Sequence, residues 1–123
     1  MEKAANPINS RVLSFRYAFE GFILAFKEEP NLKIHFGIGV LVILAGLVLQ
    51  ISKIDWIIII TMIGLVISVE LTNTSIEAVV DYLIREEHPG AKIAKDISAA
   101  AVLVSALTSA IIGVIIFMPY IFR

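Results

Sequence analysis

Apolar and polar positions fall along this chain in long blocks. From Ile34 to Ile51 no residue is charged, and the two least apolar side chains, His35 and Gln50, stand near the ends. A second uncharged block begins at Trp56 and meets its first charge at Glu70, and a third, Ile97 to Phe122, holds none. A helix needs about 20 mostly apolar residues to cross a bilayer. The third block satisfies this outright and the first is marginal. The second reaches the required length only if Glu70 and Asn73 lie inside or at the edge of the membrane. The pattern therefore predicts an all-α membrane protein with three spans, at about 34–51, 56–80 and 94–121.

Ahead of the first span, Val12, Phe15, Phe19, Phe22 and Phe26 recur at spacings of three and four, while Arg11, Ser14, Arg16 and Lys27 fall mainly on other faces. This predicts an amphipathic helix over about 10–28, lying in the membrane surface with its aromatics in lipid or packed on a partner protein. Glu28-Glu29-Pro30 should end it, because the residue before proline avoids helical geometry. Pro89-Gly90 is the strongest breaker in the chain and predicts a loop between the second and third spans.

Composition agrees with these blocks. Of 123 residues, 59% are hydrophobic and 17% charged, against about 45–50% and 25% in soluble domains. A chain this short cannot hide that apolar surface from water. The length allows one domain, 1–123. Lys and Arg number 10 against 11 Asp and Glu, so the basic excess of a nucleic-acid binder is missing. The lack of cysteine excludes disulfides, thiolate metal sites and thiol nucleophiles. Met1–Ser10 is polar, and no cleavage pattern follows, so no signal peptide is expected. Lys3, Arg11, Arg16, Lys27 and Lys33 precede the first span, Arg85, Lys92 and Lys95 separate the second from the third, and Arg123 follows the third. Only Lys53 separates the first two. Basic residues favour the cytoplasmic side, which places the N-terminus and the second loop inside.

The chemistry concentrates in Val69–Leu83. Glu70, Asn73, Glu77 and Asp81 are spaced three, four and four apart, one stripe of a helix that leaves the apolar block and continues toward the cytoplasm. Ionisable side chains at such a place usually face a bundle interior or a water-filled site. Two carboxylates with an amide between them suit one proton acceptor and one ligand for a cation such as Mg²⁺, which takes one or two carboxylates plus substrate phosphates. The same stripe could instead serve helix–helix hydrogen bonds or a solvated face. Lys92, Lys95 and Asp96 before the third span, and Glu28 to His35 before the first, converge on the same surface; lysines there also serve as interface anchors. No P-loop, dinucleotide fingerprint or soluble-kinase signature occurs. Ala101, Ser105, Ser109 and Gly113 form a small-residue ladder, which permits close helix packing within or between subunits.

The run E-x-x-N-T-x-I-E-x-x-x-D at Glu70–Asp81, His88-Pro89, and A-K-D-x-x-A-A-A-V-L at Ala94–Leu103 together resemble the prokaryotic diacylglycerol kinase family, over about Ser14 to Tyr120. "EEPNLKIH" and A-K-x-A-K-D resemble its undecaprenol kinase branch. The resemblance implies a homotrimeric lipid kinase of the bacterial plasma membrane, multi-pass, using ATP and Mg²⁺ on a membrane alcohol, either undecaprenol or diacylglycerol. It implies Glu70 as catalytic base and Glu77 and Glu29 as metal ligands, with Glu28 replacing Glu29 if the alignment slips by one. Tyr17, Asn73, Glu86, Glu87, His88, Lys95 and Asp96 take the nucleotide-side roles, and Asp81 supports the stripe. Arg11 belongs to the most divergent helix. A non-catalytic membrane assembly subunit is the competing expectation. A transporter fits poorly, because the acidic stripe is confined to one membrane end.

Overall fold

The computed structural model describes residues 7–122; Lys3 and Arg123 lie outside them. The chain folds into four helices, α1 (Pro7–Glu28), α2 (Pro30–Leu49), α3 (Lys53–Leu83) and α4 (Pro89–Ile121). The last three are long and apolar enough to cross a membrane, as the three blocks predict.

Two boundaries differ from the sequence expectation for one reason. Pro30 and Pro89 do not extend loops; each is the first residue of a helix. Proline lacks an N–H that the first turn would leave unpaired in any case, and its fixed φ suits that position. Glu29 (φ −99°, ψ 110°) and His88 (φ −129°, ψ 125°) supply the extended caps before them. The polar segment Pro30–His35 is thereby the first turn and a half of α2, and Gly90 opens α4.

Between α2 and α3 the turn is short. Gln50 takes the left-handed conformation (φ 52°) and its N–H bonds back to Gly46, while the Ser52 hydroxyl caps α3 by accepting from the Asp55 N–H at 3.2 Å. A β-carbon at Gly46 would stand 2.9 Å from the Trp56 ring, so glycine there sets how closely α2 approaches α3. The apolar core beside this turn is built from Ile51, Ile59 and Ile116, with Trp56 and Phe117 packed on it.

A polar tie joins the far end of α4 to the same turn. The Tyr120 hydroxyl donates to Asp55 Oδ2 at 2.6 Å and accepts from the Ser52 N–H at 3.0 Å. The most extensive helix contact is that of α3 with α4. On α1, Phe26 meets Phe36 of α2 edge-on at 5.3 Å, while Phe15 and Phe19 stay exposed.

Candidate functional site

Depth along α3 sorts the acidic stripe. At about 1.5 Å per residue, Glu70 lies roughly 26 Å from Lys53 and Glu77 roughly 36 Å, against a hydrocarbon core of about 30 Å. With Lys53 at one membrane face, Glu70 reaches the opposite edge from inside and Glu77 stands just beyond it. Glu70 is 1% exposed, and its Oε2 has no hydrogen-bond partner among the described residues. A buried carboxylate oxygen with nothing to accept from costs free energy, which makes Glu70 a candidate functional group. Glu29, Glu77 and His35 are the ionisable side chains close enough to act on it.

One turn on, Asn73 is buried and bonded on both sides. Its Nδ2 donates to Glu77 Oε1 at 3.3 Å, and its Oδ1 accepts from the Ser98 hydroxyl at 2.6 Å. Ser98 is itself buried, and its oxygen also lies 3.0 Å from the Lys95 carbonyl. Thus α3 presents the amide and α4 holds it.

Past the membrane edge, Lys95 Nζ donates to both carboxylate oxygens of Asp81, at 2.9 and 3.1 Å, and Lys92 pairs with Asp96. These four side chains, with Glu86, Glu87 and His88, line a cavity of about 690 Å³ at the α3–α4 junction. The Nδ1 of His88 accepts from the Gly90 N–H at 3.0 Å. A second, apolar groove of about 660 Å³ runs between α2, α3 and α4; His35 is the one ionisable residue on its wall, and Ser109 and Gly113 also line it.

The structure therefore brings Asn73 to Glu77, Asp81 to Lys95, and Lys95 and Asp96 to the Glu86–His88 loop. Glu29 is half-buried at the cap of α2, and Glu28 is exposed. Tyr17 is 63% exposed and lines neither cavity. Among the described residues no three carboxylate or imidazole groups close on one point. Sequence reasoning did not single out Ser98. The small-residue ladder does not point to it, because one step of four back from Ala101 reaches Ile97.

Comparison with known proteins gives a consistent result. The family model described as prokaryotic diacylglycerol kinase matches residues 16–117. The undecaprenol kinase of Bacillus subtilis is 40% identical over 93% of this chain and 93% of its own length. A diacylglycerol kinase of Synechocystis is 39% identical over 88% of this chain and 62% of its own length, and that of Escherichia coli K12 is 34% identical over 77% and 78%.

Proposed function

The chain belongs to the prokaryotic diacylglycerol kinase family, and from that premise we propose that it transfers the γ-phosphoryl group of ATP to the hydroxyl of a membrane lipid alcohol, with undecaprenol as the acceptor. The observation that carries the reading is the buried carboxylate of Glu70, whose Oε2 has no partner among the described residues. Only at the membrane edge can one side chain meet a lipid hydroxyl from one side and a water-borne phosphate from the other.

Phosphoryl transfer asks for positioning and charge neutralisation more than for covalent chemistry. Glu70 accepts the proton of the lipid hydroxyl as that oxygen bonds to the γ-phosphorus and the bond to ADP breaks. Lys95, released from Asp81, places positive charge beside the phosphates, and the Glu86–His88 loop covers the nucleotide. Glu29 and Glu77 are the other carboxylates near Glu70, and Glu77 accepts only a long amide bond from Asn73, so these two acids would hold Mg²⁺ together with substrate phosphates. When bound, the ion neutralises charge on the transferring group.

The same reading places α1 in the cytoplasmic membrane surface, assembles three copies, and puts the N-terminus inside. Arg11, Arg16, Lys27, Lys33, Arg85, Lys92 and Lys95 then lie on the cytoplasmic side, with Lys53 outside. In intact cells an impermeant thiol reagent should label Ser52→Cys and spare Glu87→Cys; the reverse pattern refutes the orientation.

The acceptor is tested by presenting undecaprenol and diacylglycerol separately with ATP and magnesium. A kcat/KM at least about tenfold higher for undecaprenol is expected, equivalent to about 1.4 kcal/mol in the transition state. Equal values, or a preference for diacylglycerol, remove undecaprenol as the favoured substrate.

A further inference from the structure

We propose that Ser98 is a positioning residue: its hydroxyl anchors the Asn73 amide, whose NH₂ end Glu77 selects, and thereby holds the carboxylate of Glu77 in place. The inference rests on the reading of Glu77 as a cation ligand.

The two ends of an asparagine amide have nearly the same shape and opposite hydrogen-bonding roles. Against Glu77, whose carboxylate only accepts, Asn73 must turn its NH₂ outward, and Nδ2 lies 3.3 Å from Glu77 Oε1. Its oxygen then faces Ser98 at 2.6 Å. Two acceptors at that distance repel, so the serine must donate. Its single proton has two possible acceptors, Asn73 Oδ1 at 2.6 Å and the Lys95 carbonyl at 3.0 Å, and the shorter contact takes it. With the amide reversed, Asn73 Oδ1 would meet the Glu77 oxygen and the chain of bonds would fail at its functional end. Ser98 and Asn73 are 8% and 7% exposed, which leaves little access for a water to replace the hydroxyl. Because the contact spans 25 positions of sequence, it also registers α4, which carries Lys95, against the stripe of α3.

Two measurements test this, and one needs no metal. In metal-free protein the Asn73 side-chain ¹H–¹⁵N pair should shift in Ser98→Ala and return toward wild type in Ser98→Thr, which keeps the hydroxyl. In the kinase assay Ser98→Ala should raise the Mg²⁺ concentration for half-maximal rate about tenfold, as the loss of an outer partner does to a metal ligand. The lipid KM should hold, and Ser98→Thr should restore the wild-type value. An unmoved Asn73 signal in Ser98→Ala overturns the proposal. A shifted signal with an unchanged Mg²⁺ requirement upholds the anchoring by Ser98 and overturns the metal role of Glu77 instead. If Ser98→Ala does not assemble, Ser98→Cys replaces it: the thiol fills similar space and donates weakly, and an unmoved Asn73 signal there overturns the proposal equally.

Discussion

Glu70→Gln is expected to lower kcat for lipid phosphorylation by about 10²–10⁴-fold, the range that a general base contributes, and to leave nucleotide binding nearly intact. Glutamine keeps the size of the side chain and its capacity to hydrogen-bond, so a residue that only glues helices would tolerate it. It cannot take a proton. Glu70 is buried, with one oxygen that has no partner among the described residues, whereas Glu86, Glu87, His88, Lys95 and Asp96, proposed to hold the nucleotide, line the α3–α4 cavity. The chemistry and the nucleotide site should therefore separate under mutation. Glu70→Asp should recover little, because withdrawing the carboxylate by one methylene breaks the hydrogen-bond reach that proton transfer requires. Steady-state lipid phosphorylation and ATP binding, measured in one detergent preparation, check both. Full activity in Glu70→Gln would return the stripe to helix packing and favour the non-catalytic assembly subunit.

Glu77→Gln should cost more than about 100-fold at ordinary magnesium, beyond the 10–100-fold typical of losing a partner behind a metal ligand, while the protein still assembles. Glu77 is half-buried and touches Asn73 through one long bond, so the substitution removes charge with little disturbance of packing. Raised magnesium should recover part of the loss. The same addition should do nothing for Glu70→Gln, and that contrast separates the two acids. Near-normal turnover of Glu77→Gln at ordinary magnesium would show that it binds no metal.

Much of this architecture was legible because membranes impose simple periodicities. The apolar blocks marked three spans, and the spacing of Glu70, Asn73, Glu77 and Asp81 marked a stripe that α3 carries without interruption. The prolines were read correctly as separating helices, since α1 ends at Glu28 and α3 at Leu83; what the sequence alone does not say is that each also begins the next helix. Ser98 was passed over for a different reason: one hydroxyl in a helix rich in Ala and Ser carries no pattern until the facing amide is known. The Tyr120–Asp55 bond joins residues 65 apart, a pairing that no local periodicity encodes. Tyr17 was carried by resemblance alone, and the exposed ring on α1 touches neither cavity.

The tie between Tyr120, Asp55 and Ser52 has a mechanical consequence. It rivets α4 to α3 at one end, as the joint of a pair of tongs holds its arms, while the other ends meet only through the Ile84–His88 link and side-chain contacts. From Asp55 to Asn73 the arm is about 27 Å long. A tilt of about 4° at the rivet would part the arms there by roughly 2 Å, enough to break a hydrogen bond of ordinary length. On the proposed function, the jaws of such a tool would admit and release the nucleotide while the joint stays closed, so the Tyr120 end of the bundle governs how finely the Asn73 end is aligned.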